Sequence, residues 1–580
     1  MARSSVGAGG RDRGERLPPP ARADRHWAVG VSLVAVAITM APYLLGATLQ
    51  GARPALGWFS WFTFNATDQC VYLSWMRQAA DGALHQRNLF TTEPQSGQWF
   101  SLFFLALGAI ARLTGLPLTA VYQGARVVLA MALLHAVWWL LGMVAARPGP
   151  RRAALLLVCF SAGLGWLPAL WRRGFGGPVD TWQPEAVTFL SLYLFPLFLV
   201  SQLLMVAVLG FLLKGERTGR ARWAAAAGAC GSLLGNIHTY DVITLALVWT
   251  VYLAAQSVRD RRVDPRSWGR AALAGAMTAV STGQMLWVYR TELVFARRVA
   301  VPTLSPPIGM VLLGFGLVLL LAALGLARRP TAVADGTTGT RADRLFLGAW
   351  AAANVGAAYL PVAFQRKMLM GAHLPVAILG GIGLAWLIER AVPARLRAAA
   401  LVAAVALTAI TNARFLARDM ARLPENPGPV RSYLYAGEVA AIEWIRAATP
   451  PGTPVQPLPW VALDAEGRLG FFDNSLACYT PGIAGRPVNA GHWGETPDFS
   501  RAMNRWARFL APDTTDAWRR GLLRESGVRY LVFSQKREET RDPRTAALVL
   551  APFLSSPRPY LRLVPGASSA DADVYEVAAP

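Results

Sequence analysis

Residues 27–49 read WAVGVSLVAVAITMAPYLLGATL, 23 positions without one charged side chain. A bilayer core about 30 Å thick needs about 20 apolar residues per helix, so this run reads as a membrane span. It is longer than the apolar core of a cleaved signal, about 7–15 residues, and so reads as an uncleaved anchor. Segment 1–26 before it is rich in Arg, Gly and Pro and carries Arg22 and Arg25 at its end, which fits a basic tail held in the cytoplasm.

Working outward from this anchor, runs of similar character recur at roughly 119–146, 153–171, 188–213, 222–237, 240–258, 270–289, 306–327, 344–361, 371–390 and 397–416. The connections 147–152, 214–222, 259–270, 328–344 and 390–397 are rich in arginine and alternate with connections that are not. Cytoplasmic loops hold the excess of Lys and Arg, so the alternation predicts about eleven crossings. Segment 99–114 is also apolar, but counting it would put every later arginine-rich loop on the wrong face. It is expected to be partly embedded or re-entrant.

Composition agrees. Hydrophobic residues make up 54% of the 580, charged residues 16%, and the mean hydropathy is +0.34, above that of water-soluble domains. A formal net charge of +23 would suit a nucleic-acid binder, but the arginines sit in short clusters between apolar runs, which is topological placement. The four cysteines, Cys70, Cys159, Cys230 and Cys478, form no CxxC and no Cys–His grouping, which argues against structural zinc. Cys70 and Cys478 fall on the outer side, where either a disulfide or two free thiols is open.

From Asp419 the composition turns to a soluble mix, so 419–580 is expected as a separate domain on the outer face, after a transmembrane domain at 27–418. Within it, 437–448, 501–510 and 514–525 carry helix patterns and 528–533 a strand pattern. The expected fold is an all-α polytopic bundle with a C-terminal extracytoplasmic α/β domain.

The first outer loop, 50–98, is long for a connection in a compact bundle, and long structured loops are commonly functional. Its centre, 64–91, reads FNATDQCVYLSWMRQAADGALHQRNLFT. Asp68 precedes a helix-like stretch at 72–80 that Asp81 and Gly82 close, which sets a carboxylate at the membrane surface. Helix capping alone would also account for an Asp there.

The Asp just after the first helix, the following Tyr and helix, and the Gly before an Asn-Leu-Phe turn resemble the GT-C class of membrane glycosyltransferases. Protein mannosyltransferases and aminoarabinose transferases share that architecture. The resemblance implies a sugar donor carried on a polyprenyl phosphate, transferred outside the cytoplasm across a bacterial-type cytoplasmic membrane. It also implies that Asp68 lies near donor and acceptor. Attack on an anomeric carbon needs a base for the acceptor proton and cations for the departing phosphate. Many members of the class carry two adjacent acids at this point; here the neighbour is Gln69, so no metal and no other cofactor is expected.

Other polar clusters at predicted outer boundaries supply further candidates. Residues 235–241, GNIHTYD, concentrate His238, Tyr240 and Asp241, and ionisable groups at membrane depth usually face a cavity. His238 and Asp241 join Asp68 as catalytic candidates, although the segment also suits an ordinary helix connection in which Asn236 ends one helix and Asp241 starts the next. Arg297, Arg298 and QRKMLMGAH at 365–373 put positive charge on the outer side, where phosphate would justify it. Arg366, Lys367 and then Arg298 are the candidate phosphate ligands, although lipid-facing snorkelling is the simpler account of each. Segment 485–499, GRPVNAGHWGETPDF, contributes His492, Trp493 and Glu495, which with Tyr72, Tyr240 and His373 are candidate acceptor or supporting contacts. A packed loop core would explain that His and Trp equally well.

No phosphate-loop, HExxH or GxSxG pattern occurs. Two other classes compete: a transporter or flippase for a lipid-linked sugar, and a noncatalytic scaffold of the cell envelope. Transporters place polar sites at the midplane between internal repeats, and neither trait is visible here. The acceptor, whether lipid, glycan or protein, is not encoded in hydropathy.

Overall fold

A computed structural model describes residues 22–145, 147–327, 340–424, 431–463, 469–473, 475–534 and 557–578. The basic tail up to residue 21 and positions 328–339 of the arginine-rich loop lie outside the described residues.

The chain is mostly helical. The bundle opens with α1 (Arg22–Ala52), α2 (Ala66–Ala80), α3 (Leu102–Thr114), α4 (Leu118–Val144) and α5 (Pro148–Phe160). It continues through α6 (Pro168–Trp171), α7 (Thr188–Leu194), α8 (Pro196–Thr218), α9 (Ala221–Ile237), α10 (Tyr240–Asp260), α11 (Pro265–Thr291) and α12 (Leu293–Ala300). It closes with α13 (Ile308–Ala327), α14 (Arg341–Ala357), α15 (His373–Ala391), α16 (Arg397–Thr408) and α17 (Ile410–Arg422).

Among the described residues six helical segments are long and apolar enough to cross a membrane: α1, α4, α8, α10, α13 and Gln365–Ala391. The pair α16 and α17, bent by 53°, makes a seventh if it counts as one span. The chain is therefore a multi-pass membrane protein. Of the other expected spans, α5 has 13 residues and α9 and α14 have 17 each, short of the ~20 a crossing needs, whereas α11 has the length, 27 residues, but not the apolar composition.

Two local expectations are corrected. The apolar run 153–171 is not one helix, because α5 stops at Phe160. A Cβ on Gly163 would come within 2.3 Å of the Leu313 and Gly314 backbone of α13, so the chain leaves helical geometry to make that approach. The second concerns Asp68, which lies inside the first turn of α2, whereas the sequence pattern starts the helix after it. The residue before α2 is Asn65, in a left-handed conformation at φ 47° and making no side-chain cap bond, so Asp68 does not cap the helix. The apolar segment 99–114 becomes α3, only 13 residues long and packed on α2; Gly108 lets the α2 backbone come close.

The C-terminal domain contains α18 (Ala436–Ala448), α19 (Ser475–Ala484), α20 (Phe499–Leu510) and α21 (Asp516–Ser526). Its main sheet runs β3 (Val455–Pro457), β6 (Tyr530–Phe533), β8 (Asp573–Val577), β7 (Leu561–Leu563). The β3–β6 pair is parallel and the others antiparallel. β4 (Trp460–Leu463) and β5 (Leu469–Asp473) form a separate antiparallel pair.

This domain is woven into the first loop. β1 (Trp58–Phe59) pairs antiparallel with β2 (Tyr433–Leu434), and α19 packs on α2, where Gly482 lies against Leu73. The crossing needs glycine at residue 57. Its φ is +90°, and a Cβ there would sit 2.1 Å from the Leu434 carbonyl oxygen. Gly57→Ala combines left-handed strain with overpacking and is expected to cost on the order of 2–4 kcal/mol, read as a lower melting temperature in detergent. Gly51→Ala, in open space inside α1, is the control and should change nothing.

Candidate functional site

The first loop and the segment after α19 are zipped together before either reaches the site. Val488 N–H donates to the Leu89 carbonyl at 2.8 Å, the Asn88 amide to the Glu495 carbonyl at 2.8 Å, and the Thr496 hydroxyl to the Phe90 carbonyl at 2.8 Å. The Asn-Leu-Phe turn therefore acts as a cradle for residues 488–496.

That zipper delivers His492 and Trp493 to Asp68. His492 Nε2 lies 2.9 Å from Asp68 Oδ1, and Trp493 Nε1 donates to the same oxygen at 3.3 Å. Gly494 N–H donates to His492 Nδ1 at 3.1 Å, which fixes the ring proton on Nε2, facing the carboxylate. The Asn65 amide donates to the other oxygen at 2.7 Å. Burial pushes the Asp68 carboxyl up, but the hydrogen bonds from His492 and Asn65 and the charge of Arg366 outweigh it and hold the group below its usual range. Its side chain keeps 28% exposure, so the anion can still be reached.

Across from Asp68 stands the turn between α9 and α10. His238 Nδ1 lies 2.9 Å from Asp241 Oδ2, which also accepts from the Ser201 hydroxyl. Asp241 is fully buried and orients the ring, which lines the cavity. Asn236 does more than end α9: its Oδ1 accepts from Leu102 N–H at 2.7 Å and ties that helix end to α3.

The cations complete the wall. Arg298 Nε pairs with Glu495 at 2.6 Å. The Arg366 guanidinium lies 5.5 Å from the Trp182 ring and 5.8 Å from the Trp493 ring, while Lys367 Nζ sits 4.5 Å above Tyr240. Among the described residues neither Arg366 nor Lys367 has a carboxylate at ion-pair distance. Arg297, one residue from Arg298, turns outward to Glu93 at 2.8 Å.

One cavity of about 140 Å³ is lined by Asp68, Tyr72, His238, Tyr240, Arg298, Arg366, Lys367, His492, Trp493 and Glu495, so the sequence candidates from five separated segments converge. Phe104, Phe198, Ile237 and Met285 give it an apolar side. The enclosed space is smaller than the ~300 Å³ of a typical small-molecule pocket, so a ligand larger than a phosphoryl group must extend into the open mouth beside Trp493. Two candidates lie elsewhere. Asp241 sits one step behind His238. His373 is not in the cavity wall: its ring is held between Ser161 and Thr188, each at 3.0 Å, and fastens the head of α15 to its neighbours.

Sequence inspection missed Glu185, a third carboxylate in the wall beside Asp68 and Glu495. Burial raises it, against its own backbone amide and Arg366. The available signal was the polar and aromatic stretch DTWQPE at 180–185, just ahead of an apolar run. Cys70 and Cys478 are both buried and share no disulfide, and the Cys478 thiol donates to the Gly491 carbonyl at 2.7 Å.

No family model and no curated protein matches the sequence. Solved structures do. ArnT from Cupriavidus metallidurans bound to undecaprenyl phosphate is similar at a TM-score of 0.52 and 15% identity, covering 96% of this chain and 98% of that one. The same protein in its apo state gives 0.50 and 14%, over 95% and 98%. The oligosaccharyltransferase of Archaeoglobus fulgidus in its apo form gives 0.50 and 13%, over 90% of this chain and 71% of that one. Likeness at this identity concerns architecture, and the architecture of this chain is the GT-C membrane glycosyltransferase fold.

Proposed function

We propose that the chain moves a sugar from a polyprenyl-phosphate donor to an acceptor at the outer face of the membrane, with Asp68 as general base. The observation that carries this is a reachable carboxylate held below its usual range opposite two cations without carboxylate partners, in one cavity with an apolar side. The acceptor hydroxyl gives its proton to Asp68 as its oxygen bonds to the anomeric carbon. The bond from that carbon to the phosphate oxygen breaks, and its electron pair leaves with the phosphate toward Arg366 and Lys367. Arg298 keeps Glu495 neutralised, and His238, oriented by Asp241, supports the sugar or the phosphate.

On this reading the chain crosses the membrane about eleven times, with the N-terminus cytoplasmic and the α/β domain outside. The arginine-rich connections alternate along the chain with those that line the cavity, which supports the orientation. Lipid, glycan and protein acceptors all remain compatible. The site is read as metal-independent, because both Asp68 oxygens already accept N–H donors and no three His, Cys, Asp or Glu side chains gather among the described residues.

The test is transfer of labelled sugar from polyprenyl phosphate to membrane extracts by the purified protein. Glycoconjugate profiles with and without the gene identify the acceptor fraction. Transfer should persist in EDTA; loss that a divalent cation restores would reject the metal-free site.

The carboxyl shift also makes a pH prediction. A base with a lowered pKa stays ionised as pH falls and fails only below the ordinary carboxylate range of about 4. His492→Phe removes the leading lowering partner while keeping the ring shape, so burial prevails and the acid limb of the rate profile should move to higher pH. An unmoved limb would detach His492 from the base.

A further inference from the structure

A second cationic surface lies outside the cavity, where α17 meets the loop after α5. Arg414 and Arg418 are four residues apart, on one face of α17. Both guanidiniums lie near the Trp171 ring, at 4.6 and 5.5 Å. Beside them Arg172 and Arg173 are exposed, and Phe175 is 74% exposed. Asp419, which pairs with Arg418 at 2.8 Å, is the carboxylate that answers this group among the described residues. Four cations against one buried acid leave a net positive patch.

We infer that this patch seats the phosphate headgroup of an anionic membrane lipid. Three observations choose a lipid over a soluble anion. α16 leads into the patch with apolar side chains turned outward, Val402 at 67% exposure, so acyl chains and headgroup would find their surfaces in the order a lipid presents them. Half-buried Trp171 is an amphipathic anchor of the kind enriched at bilayer boundaries, and exposed Phe175 adds apolar surface beside it. Arginine offers phosphate a bidentate fork.

The patch also adjoins the candidate active site without belonging to it. Phe175 packs edge-on against Trp182 at 5.4 Å, and Trp182 stands 5.5 Å from Arg366. On the other flank Arg418 covers Phe64 at 5.0 Å, next to the Asn65 that holds Asp68. A lipid bound here would stand beside the carboxylate on a side other than the cavity. The inference rests on the membrane placement proposed above and not on sugar transfer, so either can fail alone.

Native mass spectrometry of the full-length protein from micelles containing equal phosphatidylglycerol and phosphatidylcholine tests it. The wild type should retain phosphatidylglycerol preferentially. Arg172→Gln with Arg173→Gln, both on exposed side chains, should cut that retention about tenfold, since each arginine near a membrane surface contributes severalfold. Arg414→Gln with Arg418→Gln should remove it. Arg259→Gln with Arg261→Gln, at the far end of α10, should leave it unchanged. Equal retention by the wild type and the Arg172/Arg173 variant would overturn the inference, as would an equal fall in the Arg259/Arg261 control, which would mean diffuse charge attraction.

Discussion

Asp68→Asn is expected to lower sugar transfer by about 10²–10⁴-fold, the usual contribution of a positioned general base, while donor binding stays close to wild type. The substitution preserves shape and removes only charge and proton affinity. It also puts an NH₂ where every neighbour donates: Asn65 on one side, His492 and Trp493 on the other. His492 cannot easily present an acceptor instead, because Gly494 N–H already occupies its Nδ1. A modest loss of stability, about 1–3 kcal/mol for one mismatched buried hydrogen bond, should accompany the loss of transfer. Parallel measurement of melting temperature and donor binding separates the two. Transfer that survives at wild-type rate would remove Asp68 from the chemistry.

Arg366→Gln is the second large effect. The leaving phosphate gains charge as the sugar departs, and removing one preorganised donor at such a position lowers turnover by about 10²–10³-fold. Arg366 is the better probe than Arg298. Taking away Arg298 strands Glu495 without its partner, and the cost of an uncompensated buried acid would obscure any effect on catalysis. Arg366 stands near Trp182 and Trp493 with no carboxylate at ion-pair distance among the described residues, so its loss breaks no ion pair, although Asp68 and Glu185 lose a longer-range countercharge. Arg366→Lys keeps the charge and loses the planar stack, and should recover part of the turnover. A donor KM and turnover both unchanged in Arg366→Gln would place the phosphate elsewhere.

The helices of the bundle were legible because lipid leaves a chain few choices: apolar length and arginine placement mark them without knowledge of tertiary contacts. Apolarity alone misled at 153–171, where glycine and the closeness of α13 stop the helix at Phe160. The residues that line the cavity were legible by type, since charge at a predicted helix end is costly unless something uses it. Their partners were not. Asp68 and His492 are 424 positions apart, and no local periodicity records that contact. Arg297 and Arg298 show the same limit, because adjacent guanidiniums face Glu93 and Glu495 respectively and only packing separates their roles. His373 was drawn in by its place near Arg366 in sequence, yet it fastens α15. Glu185 was passed over because a lone acid after a proline looks like any loop residue.

In the proposed reaction one cavity, whose wall holds Asp68, Arg366 and Lys367, receives a polyprenyl phosphate. Photo-crosslinking with a diazirine-bearing polyprenyl phosphate in proteoliposomes, followed by peptide mapping, tests it most directly. Label should concentrate in the peptides around residues 236–241, 285–303 and 365–368, and unlabelled polyprenyl phosphate should displace it. Label confined to the lipid-facing surface of helices such as α1, with no displacement, would contradict the account.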